Sequence, residues 1–139
     1  MKPKEKSTEK VIRDRLSSLF SDEKLKLVVL FGSTATGNNH KKSDIDLGFL
    51  FDKRVDILEL TNTVIRLVKT DNVDVVDLRY ASPLLKFSAV KKGKLIYEKE
   101  QGMFNEFASL AFRMYADSKK LRDAQIESIK NFLNERGGL

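Results

Sequence analysis

Residues 31–51 read FGSTATGNNHKKSDIDLGFLF, and this stretch joins two apolar segments through a long polar one. The run that leads into it, Leu25 to Phe31, has no polar alternation from Leu27 onward, which predicts a strand covered on both faces. A second strand is predicted from Asp44 to Phe51, polar at its start and apolar at its end. The chain therefore presents carboxylates at the beginning of a strand whose remainder belongs in a core.

Asp44 and Asp46 have the spacing expected of two side chains that face the same binding site. Because side chains alternate along a strand, both carboxylates point to one face, about 6–7 Å apart, while Ile45 and Leu47 point to the other. Two carboxylates aimed at one volume repel each other unless a cation lies between them. Hard divalent ions with oxygen ligands, Mg²⁺ first and Mn²⁺ next, are the cations expected there.

The polar segment upstream has the composition of a phosphate-binding turn. Gly32 at the end of a buried strand lets the backbone approach an anion closely, and Ser33 offers a hydroxyl and an N–H group. Lys41 and Lys42 lie in the same segment and carry the charge needed to neutralise the outer phosphates of a nucleoside triphosphate. The combination predicts a nucleotide site with a metal beside it.

Composition limits the class of protein. The chain has 139 residues, 41% of them hydrophobic, which is enough for one domain with its own core. It contains no cysteine, so neither a disulfide framework nor thiolate metal ligands are available. A formal charge of +6 favours anionic partners. The apolar runs are far shorter than the roughly 20 residues of a membrane span, and the first residues form no apolar signal region, so we expect a cytoplasmic protein.

Hydrophobic periodicity predicts the element order α-β-β-α-β-α-β-α. The predicted helices lie at about residues 7–22, 56–69, 82–93 and 102–136, and the predicted strands at 25–31, 44–51, 73–79 and 95–98. The last strand is short and peripheral, and the last helix is either continuous or broken near Asp117 and Ser118. We therefore expect a single domain over residues 1–139 of the α/β or α+β class, a small mixed sheet with helices packed on it.

A further acidic strand, VDVVDL, contains Asp74 and Asp77. These two residues are separated by an odd number of positions, so on a regular strand they face opposite sides of the sheet. Only one of them can face the same volume as Asp44 and Asp46. Alternation alone leaves the choice open.

Five segments together resemble the DNA polymerase β-like nucleotidyltransferase superfamily, and within it the minimal nucleotidyltransferases. The segments are GSTATG, SDIDL, VDVVDL, ASPLL and KLIYE, which cover about residues 25–98, the expected catalytic core. The helical segment at 102–136, with Phe112, Arg113, Tyr115 and Asp117, looks like that of the antitoxins paired with HEPN-domain toxins.

The resemblance implies an enzyme that transfers AMP from ATP to a hydroxyl, with tyrosine the expected acceptor, on a HEPN ribonuclease toxin, and so acts as an antitoxin. Two Mg²⁺ or Mn²⁺ ions are then held by three carboxylates, and Gly32 and Ser33 bind the triphosphate. The implied ligands are Asp44, Asp46 and Asp74, since the family places its third acid first in the VDVVDL segment. Where the family carries an arginine this chain has Thr36, and Lys41 or Lys42 is the expected substitute.

Three other functions compete with this interpretation. A non-catalytic antitoxin would bind the toxin through a vestigial site, and a small-molecule nucleotidyltransferase would need an acceptor pocket that so short a chain builds as a homo-oligomer. An RNA-binding module is the third, but most of the nine Phe residues recur at core spacing rather than in a basic groove, so direct nucleic-acid binding is not expected.

Overall fold

A computed structural model of the protein describes residues 8–31 and 45–135. Its four-stranded mixed sheet confirms the predicted class. The strands are β1 (Leu25–Phe31), β2 (Ile45–Phe51), β3 (Val73–Asp77) and β4 (Lys94–Glu98), and the helices are α1 (Thr8–Leu16), α2 (Ile57–Val68), α3 (Pro83–Lys92) and α4 (Met103–Glu135), with a 3₁₀ helix at Ser17–Ser21. The strand order is β3-β2-β1-β4. Strand β1 is antiparallel to β2 and β4, and β2 is parallel to β3.

The sheet is covered on both faces, as the unbroken apolar run of β1 predicts. Helices α1 and α2 contribute to the larger core, whose buried members are Ile12, Leu16, Leu25, Val28, Leu30, Leu47, Phe49, Phe51, Leu60, Val64, Val68, Val73 and Ile96. The opposite face packs against α3 and the beginning of α4 through a smaller cluster made of Val29, Phe31, Leu78 and Ala89, flanked by Leu50, Val76, Leu85, Phe104 and Phe107. Burial of both faces explains why β1 tolerates no polar residue among its last positions.

Several predicted boundaries were wrong. The first helix ends at Leu16 and continues as a 3₁₀ helix at Ser17–Ser21, where two consecutive serines lower the helix propensity. Strand β3 stops at Asp77 rather than at Arg79. Of the two alternatives left open for the C-terminal segment, the structure shows the continuous helix, from Met103 to Glu135. The peripheral strand is confirmed as a sheet edge, where it pairs with β1.

Helix α3 begins as its sequence predicts. The Ser82 hydroxyl accepts a hydrogen bond from the Leu85 N–H at 3.2 Å, and Pro83 occupies the first turn, where no N–H partner is required. The helix then runs across β1 and ends at Gly93, whose backbone lies against Val29 and Ala89. The end of α3 is thereby fixed over the end of β1.

The outer edge of β4 is closed by Arg13 of α1. The Arg13 guanidinium donates to the carbonyl oxygens of Ile96 at 2.9 Å and Leu95 at 3.1 Å, and it pairs with Glu9 at 3.2 Å. These two carbonyls are therefore not available to pair with a strand from another molecule. The same contacts hold α1 to the sheet.

The turn before β1 contains a titratable contact with a testable consequence. The backbone N–H of Lys24 at 2.9 Å, followed by the ammonium of Lys53 at 3.1 Å, lowers the pKa of Asp22 below its ordinary value. A carboxyl whose pKa is lower in the folded state stabilises the fold above its unfolded pKa of about 3.9, and this contribution is lost as the pH falls through the folded pKa.

We expect urea denaturation to show a stability difference between the wild type and Asp22→Asn that is constant at neutral pH and shrinks below about pH 4. The difference should be small and should decrease with added salt, because the side chains of Asp22 and Lys53 are both substantially exposed. A difference that grew on acidification would contradict the sign of the pKa shift.

Candidate active site

Asp46 and Asp74 lie opposite each other on neighbouring strands. The parallel pairing of β2 with β3 sets Asp46 in register with Asp74, and strands in such a ladder lie about 4.8 Å apart. On its other side Asp46 is in register with Phe31, the last residue of β1. The Ile45 N–H donates to the Asn72 carbonyl at 2.9 Å, which extends the β2–β3 connection by one step. The two carboxylates therefore share the end of the sheet at which β1 stops and β2 and β3 start.

The two carboxylates also share a face. Val73 and Val75 belong to the core under α1 and α2, so the alternating position Asp74 faces the other side. By the same alternation Asp46 lies on the side of Leu50, which packs with the cluster beneath α3 and α4. Asp46 is half-buried and Asp74 is exposed. The arrangement places two oxygen-donor side chains at an open corner of the sheet.

Asp77 is placed differently. It lies at the other end of β3, in register with the fully buried Phe49, and by alternation it faces the opposite side from Asp74. Its carboxylate accepts a hydrogen bond from the Arg79 N–H at 3.0 Å, and its carbonyl accepts one from the Tyr80 N–H at 3.2 Å. These bonds form the turn that ends the strand. Of the two acids in VDVVDL, the structure brings only Asp74 to Asp46.

The remaining predicted site residues lie outside the described part of the chain: Gly32, Ser33, Thr36, Lys41, Lys42 and Asp44. Within residues 8–31 and 45–135, no group of three or more His, Cys, Asp or Glu side chains is gathered as metal ligands would be. Two of the three predicted ligands, Asp46 and Asp74, fall within that part. Their donor set, carboxylate oxygen with no nitrogen or sulfur, fits a hard divalent ion such as Mg²⁺.

A basic cluster near the same end of the sheet was missed by the sequence reasoning. Lys94 of β4 is in register with Leu30, one residue before the end of β1, and Lys91 and Lys92 form the last turn of α3. The ammonium of Lys91 lies 5.4 Å from the Phe87 ring centroid, which holds it on the α4 side. The three lysines fall within four positions of the sequence, but only the β1–β4 pairing shows that they lie near the end of β1, the strand that precedes Gly32 and Ser33 in the chain.

Helix α4 is the longest element, but it does not have the properties of a transmembrane segment. None of the helices that the structure describes is both long enough and apolar enough to cross a membrane.

The chain is similar to known proteins in sequence and in fold. Residues 14–102 match the family described as "Polymerase beta, Nucleotidyltransferase". A relative from Aphanizomenon flos-aquae, named protein adenylyltransferase MntA, is 30% identical over 125 residues, which cover 81% of this chain and 83% of the relative. A protein of the same name from Shewanella oneidensis is 33% identical over 123 residues, with 86% and 83% covered.

Two solved structures are similar over most of the chain. A toxin–antitoxin complex with AMP-PNP contains a chain that superposes with a TM-score of 0.73 at 32% identity, over 88% of this chain and 98% of that one. A complex of the tri-AMPylated Shewanella oneidensis HEPN toxin with its MNT antitoxin gives a TM-score of 0.70 at 29% identity, over 88% and 99%.

Proposed function

This chain belongs to the polymerase β nucleotidyltransferase family, and from that membership we propose that it transfers AMP from ATP to a hydroxyl of a cognate HEPN-domain ribonuclease toxin, acting as its antitoxin. The family that GSTATG, SDIDL and VDVVDL predict is thus confirmed. The observation that carries the proposal is the register of Asp46 with Asp74 on one face of the sheet, next to the end of β1. Relatives named as protein adenylyltransferases, and a related complex with an AMPylated toxin, support a protein acceptor.

In the proposed reaction a toxin hydroxyl, expected to be that of a tyrosine, attacks the α-phosphorus of ATP. A bond forms between the hydroxyl oxygen and phosphorus, the bond to the bridging oxygen breaks, and pyrophosphate leaves with that electron pair. The proton of the attacking hydroxyl passes to a carboxylate, for which Asp74 is our choice. Gly32 and Ser33 would bind the triphosphate, with Lys41 and Lys42 near its outer phosphates.

Asp44, Asp46 and Asp74 would hold Mg²⁺ or Mn²⁺. When bound, such ions neutralise triphosphate charge and align the attacking and leaving oxygens. The chain's own task is then to place the carboxylates, orient the triphosphate and exclude water from the reacting phosphorus. One domain suffices for this, with the catalytic core at about residues 25–98 and α4 outside it. Because ATP and an intracellular ribonuclease toxin meet in the cytoplasm, we place the protein there.

Labelled transfer tests the function. The purified protein, Mg²⁺, ATP labelled in its α-phosphate and the cognate HEPN-domain protein should yield label on the HEPN-domain protein, and peptide mapping should locate it on tyrosine. The same mixture should show loss of the toxin's ribonuclease activity in step with labelling. A stable complex without label would instead indicate an antitoxin that acts by binding alone. Label on an added small-molecule acceptor, with none on the HEPN-domain protein, would indicate a small-molecule nucleotidyltransferase.

Metal removal gives a separate prediction. Transfer should fall to background in EDTA and return on addition of Mg²⁺ or Mn²⁺ in excess, because the carboxylates proposed as ligands and a triphosphate repel one another unless cations lie between them. The measurement is the rate of label transfer against free metal concentration. Undiminished transfer by protein dialysed against chelator would contradict the role assigned to the carboxylates.

A further inference from the structure

The second half of helix α4 extends beyond the packed core of the domain. Its beginning is anchored, since the Glu98 carboxylate accepts a hydrogen bond from the Phe104 N–H at 2.9 Å and Ala111 is buried. From residue 119 to residue 135, by contrast, every side chain is exposed. At 1.5 Å per residue this distal segment is about 25 Å long. In proteins most of the stability of a helix comes from packing of its apolar face, so we expect a partner surface to cover this segment.

The distal segment carries an apolar stripe. Five large hydrophobic side chains in it are between 48% and 60% exposed, and we call them the distal stripe: Leu121, Ile126, Ile129, Phe132 and Leu133. At about 100° per residue the five fall within an arc of roughly 140° on one side of the helix. The polar residues Lys120, Glu127 and Asn131 fall on the opposite side. An apolar stripe this regular on a solvated helix is typical of a helix that docks into a groove.

The stripe continues a contact already made inside the domain. Tyr115 stacks on Phe87 of α3 with ring centroids 4.0 Å apart, and Phe112 meets the same ring edge-on at 5.5 Å. The Arg122 guanidinium lies 5.2 Å from the Tyr115 ring. Tyr115, Arg122 and Ile129 are seven residues apart and therefore lie on nearly the same side of α4. Phe87 of α3 covers α4 at Phe112 and Tyr115, and from residue 119 onward α4 is exposed.

We propose that the distal stripe is the docking surface for the protein substrate, the HEPN-domain toxin, at a site separate from the reacting carboxylates. This inference rests on the proposed function. The related antitoxin chains were solved in complexes with their toxin, and the match to one of them covers 88% of this chain. The stripe gives a protein acceptor a second contact that a small-molecule acceptor would not need.

The small apolar area of the distal stripe argues against a second copy of this chain as the partner that covers it. Five half-exposed apolar side chains offer roughly 300–500 Å² per chain. Two copies pairing through the stripe alone would therefore bury at most about 1,000 Å² in total, less than the about 1,200–2,000 Å² of stable specific complexes. A substrate protein adds contacts at the catalytic end of the sheet and so reaches the required area.

The positive charge of Arg122 also favours the toxin over a second copy of this chain. Arg122 lies inside the stripe, where it donates to the Ser118 hydroxyl at 2.9 Å, and in the described part of the chain it has no ion pair. A symmetric pairing of two copies would bring two such guanidinium groups into one apolar seam, which is costly. A partner with an apolar groove and a carboxylate facing Arg122 avoids that cost. We therefore expect an acidic residue in the toxin's groove.

The test compares two triple variants of the full-length protein. The stripe variant carries Ile126→Ser, Ile129→Ser and Leu133→Ser, and the matched control carries Lys120→Ser, Glu127→Ser and Asn131→Ser on the opposite side, with equal serine content. We expect the stripe variant to raise KM for the toxin at least about 30-fold, with KM for ATP and kcat at saturating toxin unchanged, while the control stays within about threefold of the wild type. An unchanged KM for the toxin in the stripe variant would overturn the proposal.

Two further measurements separate the alternatives. If the wild type transfers no AMP, the proposed function fails. Docking is then tested by calorimetry, and we expect the dissociation constant of the toxin complex to be at least about 30-fold higher for the stripe variant than for the wild type. Sedimentation of the chain alone tests the second copy: a dimer lost in the stripe variant, with toxin affinity retained, would overturn the proposal. If the stripe variant loses helicity, Arg122→Glu takes its place in the test. We expect Arg122→Glu to raise KM for the toxin about tenfold and the control Arg122→Lys to leave it unchanged.

Discussion

Asp46→Asn and Asp74→Asn are each expected to reduce AMP transfer by at least about 1,000-fold. Each change keeps the shape of the side chain but removes one negative charge from the site proposed to hold the divalent ions. Because the two residues are in register on one face of the sheet, losing either one breaks the same metal site. The measurement is the initial rate of label transfer from ATP at saturating Mg²⁺. A rate within a few-fold of the wild type for Asp46→Asn would remove the basis of the catalytic assignment.

Asp77→Asn is the matched control. It is the same substitution on the same strand, but at its other end, where asparagine can still accept the hydrogen bond from the Arg79 N–H. We expect transfer to stay within about twofold of the wild type and stability to change by less than about 1 kcal/mol. Circular dichroism and thermal unfolding of all three variants separate loss of chemistry from loss of fold. A collapse of transfer in Asp77→Asn, with Asp74→Asn active, would move the third carboxylate to Asp77.

Gly93→Ala is expected to destabilise the protein by about 2–4 kcal/mol and to lower its Tm by about 10 °C. A β-carbon at this position would lie 1.9 Å from the Ala89 carbonyl oxygen and 2.6 Å from Cγ1 of Val29. The first contact is to backbone, so relief requires the last turn of α3 to move away from β1. The measurement is urea or thermal unfolding.

Alanine substitutions at two other glycines serve as comparisons for the stability loss expected at Gly93. Gly102 has a φ of +98°, and a β-carbon added there would have no atom within 4 Å, so Gly102→Ala should cost only about 1 kcal/mol of backbone strain. Gly48 is intermediate, since its added β-carbon would lie 2.9 Å from the buried Leu78 side chain, which would have to shift, but it would not meet backbone. The expected order of stability loss is Gly93, then Gly48, then Gly102. Equal losses at Gly93 and Gly102 would contradict a steric cause.

Local sequence determined much of the fold. The apolar run of β1 specified a strand covered on both faces, and the Ser82-Pro83 pair specified the beginning of α3, because capping and φ restriction act within a few residues. The segments GSTATG, SDIDL and VDVVDL identified the nucleotidyltransferase family through their resemblance to its motifs, and the family match confirms it. Boundaries that depend on a single turn, such as the end of α1, were beyond what periodicity could resolve.

Tertiary structure decided what spacing left open. Alternation along the strand predicted that only one of Asp74 and Asp77 could face the same volume as Asp46. The parallel register of β2 with β3 shows that it is Asp74. Pairing of β4 with β1 likewise brings Lys94 to the end of β1 from a position more than sixty residues later in the chain. The exposure of Ile129 could not be read from its helical spacing either, because a periodic apolar residue is core or surface according to whether another element packs over it. These are contacts between distant segments, and hydrogen-bond register and packing fix them rather than local propensity.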